Sequence, residues 1–258
     1  MATILFNEIV FGPLKSRRLG VSLGVNLLPL YGKWCNFDCV YCECGFNKDG
    51  KEDKKLPTVE EVREALIIKL RDHDHTIGKI DTITFSGNGE PTMHPNFPEI
   101  IDIALELRDK YAKEAKVSVL TNGSGIGKPL IAQALLKIDN AIIKIDSAFH
   151  KTVNLIDRPL YNYSLEKLIE SLEIFKGKFV LQTMFLRGES DGQVIDNTTT
   201  QEIEAWYDVV ERICPREIMI YTIDRETPLK GLSKVSVEQM DRIAQPLRDK
   251  GYKVSVSG

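Results

Sequence analysis

Four of the five cysteines fall between Cys35 and Cys44, and three of them form the run Cys35-Asn-Phe-Asp-Cys39-Val-Tyr-Cys42. Neighbours this close make poor disulfide partners, whereas C-x3-C-x2-C spacing lets three thiolates converge on one inorganic centre. Two metal chemistries use such a loop. Zinc would need a fourth thiolate, from Cys44 or Cys214, to complete a tetrahedron. An iron–sulfur cluster held by three cysteines instead leaves one iron with an open position, which is a catalytic arrangement.

Other polar residues stand where strand-like runs give out. Ser86-Gly87-Asn88-Gly89-Glu90-Pro91-Thr92 is a Gly-rich turn with one carboxylate, Asn122 lies in a TNG segment, Lys144, Asp146 and Ser147 close NAIIKIDSA, and Gln182 and Thr183 lie in KFVLQTMF. Arg17 and Arg18 form a basic pair that could face an anion, and Arg225 follows the strand-like REIMIYTI. His94 reads as a loop cap or a proton donor. NGSGIG (residues 122–127) fails the G-x-G-x-x-G spacing of a dinucleotide loop. Cys214, ahead of Pro215, reads as a small buried hydrophobe.

These residues need a scaffold to bring them together. After the cysteines, helix-period runs (TVEEVREALIIKL, NFPEIIDIALELRDKYA, PLIAQALLKI, SLEKLIESLEIF, QEIEAWYDVVERI, VEQMDRIAQPLRDK) alternate with strand-like ones (DTITFS, KVSVLTNG, NAIIKID, KFVLQTMF, REIMIYTI). Such alternation implies crossovers and a parallel sheet. Thr58 with Glu61 predicts a capping box and Ser164 a helix start. With VSLGVNLLP ahead of the cysteines there are about six strand–helix units, too few for an eightfold barrel. No linker divides residues 1–258, so one domain is expected. Period alone fits both an open doubly wound sheet and an incomplete barrel. Thr82, Thr84 and Ser86 share one strand face and Ile83 and Phe85 the other, while Lys144 and Asp146 oppose Ile143 and Ile145. Helices covering the apolar faces would leave the polar ones around a shared cavity, although Lys144 and Asp146 also read as an ion pair at its rim.

Composition narrows the class. With 43% hydrophobic and 28% charged residues the chain is that of a globular protein. No apolar run reaches a membrane span and Glu8 interrupts the start, MATILFNEIVFG, so a cytoplasmic location and no membrane partner are expected. A net charge of −3 disfavours broad attraction to nucleic acid. The basic stretch KDGKEDKK (residues 48–55) carries acids as well and reads as a solvated loop.

Taken with Tyr41 in the aromatic position of C-x3-C-x-aromatic-C, these motifs resemble the radical S-adenosylmethionine superfamily, over nearly the whole chain. GPLKSRRLGVSLGVN, SGNGEPT, TNG, KIDSA, NLIDRPL, QTMFL and IYTIDRETP are similar to the branch of Fe–S oxidoreductases related to wyosine-synthesis enzymes. The resemblance implies an incomplete (β/α)6 TIM-like barrel with the cluster loop after the first strand. It also implies a single [4Fe–4S] cluster on Cys35, Cys39 and Cys42, with S-adenosylmethionine chelating the open iron. By the same carry-over Ser86, Gly87, Asn88, Gly89 and Glu90 meet the methionine end, and Tyr41 lies near the adenine. Asp146 and Ser147 meet the ribose, and Asn122, Gln182 and Thr183 line the cofactor cavity. Arg17, Lys144 and Arg225 are substrate candidates, and no further catalytic residue is assigned. A flavodoxin or ferredoxin would donate the electron, and the substrate would be a small molecule, a peptide or an RNA. Rival readings are a glycyl-radical-enzyme activase, a tRNA-base-modifying enzyme and, outside enzymology, a zinc-stabilised binding module.

Overall fold

In the computed structural model, which describes residues 4–49, 53–72 and 78–258, the alternating runs become alternating elements. Strands β1 (Val10–Ser16) and β2 (Gly20–Val25) form an antiparallel hairpin ahead of the cysteine loop. There follow α1 (Val59–Arg71), β3 (Thr82–Phe85), α2 (Phe97–Tyr111), β4 (Lys116–Thr121), α3 (Pro129–Lys137), β5 (Asn140–Lys144), α4 (His150–Ile156), α5 (Leu165–Glu173) and β6 (Phe179–Met184). Next come β7 (Leu186–Ser190), β8 (Gln193–Asp196), α6 (Thr200–Ile213), β9 (Glu217–Tyr221), β10 (Ser233–Lys234), α7 (Val237–Asp249) and β11 (Lys253–Ser257). Part of the KDGKEDKK stretch and the first three residues of the chain lie outside the described residues.

Eight strands hydrogen-bond in the order β1-β2-β3-β4-β5-β6-β9-β11, parallel from β2 onwards, in a sheet that curls into an open half-barrel. The six parallel strands expected from the sequence are present, and β11 adds a seventh. One face buries Ile83, Phe85, Val117, Val119, Ala141, Ile143, Phe179, Leu181, Ile218 and Ile220 in the main core under the helices. Each such side chain contributes about 1.5–3 kcal/mol by leaving water. No helix among the described residues is long and apolar enough to cross a membrane.

The concave face carries the alternate residues, and its hydroxyls pair laterally instead of lining a cavity. Ser22 Oγ donates to Thr84 Oγ1 at 2.8 Å, Thr82 Oγ1 and Ser118 Oγ are 2.8 Å apart, Asn140 Nδ2 donates to Ser118 Oγ at 3.0 Å, and Arg216 Nη2 donates to Asn140 Oδ1 at 2.7 Å. Buried hydroxyls without partners would each cost on the order of 1–3 kcal/mol, and this ladder removes that cost. Beside it Ile142, Val180 and Met219 form a small apolar cluster, joined by Leu120 and by Leu19 from the β1–β2 turn. That turn therefore crosses the concave side to the far strands. Arg18 lies over the Tyr221 ring, with its Cζ 4.3 Å from the ring centroid, and Arg17 donates to the main-chain oxygen of Gly258.

A second sheet, β10-β7-β8, stands beside the C-terminal ends of the main strands. Its β7–β8 turn is Asp191-Gly192, both with positive φ (53° and 74°), the conformation that joins two antiparallel strands in two residues. The predicted helix starts are in place. Thr58 Oγ1 accepts from Glu61 N at 3.1 Å while Glu61 returns a carboxylate to Thr58 N, and Ser164 Oγ accepts from Lys167 N.

His94 caps a loop. Its Nδ1 accepts from Asn96 N at 3.2 Å, which makes Nε2 the donor to the Pro57 carbonyl at 3.0 Å, and burial pulls its pKa down. A histidine held neutral stabilises the fold above its ordinary pKa of about 6.5, and that contribution is lost as pH falls through the lower folded value. The urea midpoint should therefore drop between pH 7.5 and pH 5.5 by less in His94→Gln than in the parent. Equal drops would show that His94 titrates freely.

Candidate functional site

The cysteine loop lies against the ends of β3, β5 and β6 and is pinned by its backbone. Trp34 N donates to Asn88 O at 2.8 Å and Glu90 N donates to Trp34 O at 3.2 Å, a short parallel bridge to the Gly-rich turn. Asp38 N donates to Asp157 O and Val40 N to Ile156 O, while the Val40 side chain packs with Ile156, Met184 and Ile223. Gly89 makes the bridge possible: at φ +141° a Cβ there would stand 1.9 Å from the Trp34 oxygen.

The three thiols differ in surroundings. Burial pushes Cys35 up to about 12 and Cys39 well upward, whereas a hydrogen bond with the Cys44 thiol, aided by the Lys33 ammonium, brings Cys42 down to about 6. Cys44 is also within 3.3 Å of the Gly87 carbonyl. The Lys33 side chain is 1% exposed, donates to Gly45 O at 2.6 Å and sits 3.5 Å from Asp38 Oδ1. A buried ammonium beside three thiols suits a centre that carries negative charge. Among the described residues no three His, Cys, Asp or Glu side chains converge on one ion. Three thiols in one short loop with a buried ammonium beside them fit an iron–sulfur group, in which each thiolate would take a different iron and one iron would stay open. Cys214 caps α6 at φ +45°, half-buried at the opposite ends of the strands, and donates to Glu211 O. It is a helix cap and not the buried hydrophobe expected.

In the Gly-rich turn Glu90 is 2% exposed, and burial raises its pKa. Its carboxylate accepts from Thr92 N (3.1 Å), Thr92 Oγ1 (2.6 Å), Thr121 Oγ1 (2.6 Å) and Asn122 N (2.8 Å), all neutral donors. Among the described residues no cation pairs with it. Asn122 Nδ2 donates to Asn36 Oδ1 at 2.8 Å, tying β4 to the cysteine loop. The Asn88 side chain is spent on structure, bonding Phe6 N, Phe6 O and Pro29 O, so it has nothing left for a cofactor. Ser86 is half-buried on the side of Thr82 and Thr84.

Below the cysteine loop lies a buried ionic cluster. Asp146 accepts from Met184 N at 2.8 Å and from the Tyr41 hydroxyl, and Lys144 Nζ pairs with Asp146 at 2.8 Å and with Asp157. Burial pushes Asp157 up to about 8 despite the lysine; burial also works against the Lys144 charge, but the two carboxylates outweigh it and raise its pKa. The Lys144–Asp146 ion pair read from the sequence is present, but it is buried and shared with Asp157 and does not stand open at a rim, which corrects the expectation of a substrate contact at Lys144. Ser147 and Thr183 also need correcting. They fall on the helix side of their strands, Ser147 bonding Glu202 Oε2 and Thr183 bonding Ile145 O and Trp206 Nε1. Gln182 does face the concave side, in register with Lys144 and Met219, and its buried Nε2 has no partner. Arg17 pairs with Asp224 at 3.5 Å and Arg225 with Glu43 at 2.6 Å, both exposed on the rim, so each already has a carboxylate partner.

Lys33, Asn36 and Asp157 were missed from sequence. Lys33 had a signal, a basic residue two positions before Cys35, and Asp157 sat in the NLIDRPL motif without a role. A cavity of about 330 Å³ flanks the loop at Asn36, Phe37, Ser124, Tyr161, Tyr163 and Lys167, and a smaller polar one of about 50 Å³ lies among Arg18, Tyr41, Glu43 and Tyr221.

Comparison with known proteins bears on this site. A family model described as the radical SAM superfamily matches residues 30–198. A UPF0026 protein of Helicobacter pylori is 30% identical over 239 residues, covering 90% of this chain and 71% of its own length. A GTP 3′,8-cyclase of Corynebacterium glutamicum is 28% identical over 113 residues, 44% of this chain and 28% of the cyclase. Among solved structures, a radical SAM methyltransferase from Sphaerobacter thermophilus superposes with a TM-score of 0.68 at 16% identity over 92% of this chain. The chain spans about 65% of that methyltransferase's length. An archaeal TYW1 gives a TM-score of 0.53 at 17% identity, covering 88% of this chain and 71% of TYW1.

Proposed function

The chain belongs to the radical SAM superfamily of enzymes, whose members work with S-adenosylmethionine and an iron–sulfur cluster, and on that premise we propose that Cys35, Cys39 and Cys42 hold a single [4Fe–4S] cluster. The chemistry such a group supplies is reductive cleavage of S-adenosylmethionine to methionine and a 5′-deoxyadenosyl radical, which takes a hydrogen atom from the substrate. The observation that carries the reading is Glu90, a buried carboxylate with only neutral donors, on the turn bridged to the cysteine loop. A buried anion without a cation favours a cationic ligand group, and the methionine ammonium is one.

The protein's own residues bind, orient and exclude. Ser86, Gly87, Gly89 and Glu90 would meet the methionine ammonium, Tyr41, its hydroxyl fixed by Asp146, would meet the adenine, and Asn122, tied to Asn36, would line the cavity between them. Lys33 offsets the charge of the thiolates. Residues 1–258 act as one catalytic unit, a reading supported by a main sheet that runs from Val10 to Ser257. A flavodoxin or ferredoxin delivers the electron.

Anaerobically reconstituted protein should hold about four irons per chain and, once reduced, form 5′-deoxyadenosine from S-adenosylmethionine. No 5′-deoxyadenosine, or about eight irons per chain, would overturn the reading.

A further inference from the structure

We propose that Arg18 and Gln182 form an oxyanion site on the β6–β9 wall of the half-barrel, and that it receives a carboxylate or phosphate of the substrate. The assignment to substrate rests on the function proposed above, since there the cofactor's own carboxylate is taken by the open iron at the cysteine loop.

The two side chains reach the same wall from distant parts of the chain. Gln182 stands beside Met219 in the β6–β9 register, and Tyr221 follows Met219 by two residues on the same face. Arg18 enters from the β1–β2 turn and lies on the Tyr221 ring, with Leu19 beside it packed against Val180 and Met219. Three buried side-chain atoms among the described residues lack a hydrogen-bond partner, and two of them are Arg18 Nη1 and Gln182 Nε2. Both are N–H donors. Gln182 is 7% exposed, so water does not readily meet its need.

Charge points the same way. The acids nearest the smaller cavity are already matched: Glu43 with Arg225, Asp224 with Arg17 and Lys234, and Asp146 with Lys144. Of the three arginines lining that cavity, Arg17, Arg18 and Arg225, Arg18 is the one without a carboxylate partner among the described residues. A half-buried, planar, always-charged fork with a buried unpartnered Nη1, on the same wall as an amide donor, is complementary to an oxyanion, whose two oxygens it can bond together. Stacking on Tyr221 fixes the plane of the fork before the ligand arrives.

The test titrates the unreconstituted chain with inorganic phosphate and, separately, with succinate, at constant ionic strength, reading the thermal midpoint. A saturable rise is expected, larger for whichever oxyanion the site prefers. Arg18→Gln should weaken the apparent affinity about ten- to hundredfold, and Arg18→Lys should not restore it, because a point charge lacks the fork. Gln182→Leu, which keeps bulk and removes the donor, should weaken it as well, and Arg242→Gln, at an exposed arginine on α7, should leave it unchanged. A failure of both anions to give a saturable shift, or equal affinity in Arg18→Gln and Gln182→Leu, would overturn the site. Equilibrium dialysis of S-adenosylmethionine against reconstituted protein tells the two possible owners of the anion apart. Unchanged affinity in Arg18→Gln supports a substrate anion, whereas a tenfold loss would assign Arg18 to the cofactor and overturn the proposal. If the reconstituted parent binds no S-adenosylmethionine at all, the proposed function fails while the anion titration still stands on its own.

Discussion

Cys39→Ala should reduce 5′-deoxyadenosine formation by at least about a thousandfold, to the background of free cluster in solution, while the chain remains folded. Rate effects of this size are expected when a group that holds the reacting centre is removed and nothing can replace it. The fold should survive because the loop does not depend on the Cys39 thiol. Its position is set by the Trp34–Gly89 bridge, by Asp38 N and Val40 N bonding to Asp157 O and Ile156 O, and by Leu229 N bonding to Val40 O. Product assay and iron count report the loss, and the thermal midpoint of the unreconstituted chain should match the parent. Full product formation in the variant would mean that the ligand set is wrong.

Lys144→Met should destabilise the protein by about 3–5 kcal/mol, because it strips the cation from two carboxylates that are nearly inaccessible to water. The Asp146 side chain is 0% exposed and that of Asp157 3%. The defect should grow with pH. Burial already holds Asp157 up at about 8, and without the lysine its folded pKa rises further. A carboxyl whose folded pKa exceeds its unfolded one loses stability as pH climbs from the unfolded value, near 4, through the folded value. Urea unfolding at pH 6 and pH 9 should show the larger deficit at pH 9, and the double variant with Asp157→Asn should recover much of it. A deficit below about 1 kcal/mol at both pH values would show that the cluster is open to water.

Short-range spacing was the legible part. The cysteine triplet, the Gly-rich turn and the Thr58 capping box each depend on residues a few positions apart, and the structure brings the first two into backbone contact at Trp34 and Gly89. The six parallel strands were legible from alternation, but β11 was passed over because KVSVS is only five residues long and follows a charged helix end. The β7–β8 hairpin carried a recognisable Asp-Gly signal that the long apolar run KFVLQTMF overshadowed. One site expectation broke a rule that the sequence itself contains. Gln182 and Thr183 are adjacent on β6, and adjacent residues on an extended strand point to opposite faces, so only one of them could reach the concave side. The Lys144–Asp157 pair and the Arg18–Tyr221 stack were beyond reach for another reason. The first is made where α4 ends beside the end of β5, 13 residues on, and the second by the β1–β2 turn crossing the sheet to a strand about 200 residues away, and period carries no information about such meetings.

The half-barrel is open, and among the described residues no strand ladder joins its two edges. A closed barrel has its diameter fixed by a continuous ring of strand hydrogen bonds, whereas here the turn at Arg17 to Leu19 links the far strands to the first ones through side chains alone. An exposed ion pair such as Arg17 with Asp224 is worth about 0–1 kcal/mol, so the seam rests mainly on the Arg18–Tyr221 stack and on Leu19 packed against Val180 and Met219. The shape of the concave face therefore depends on three consecutive residues of a single turn.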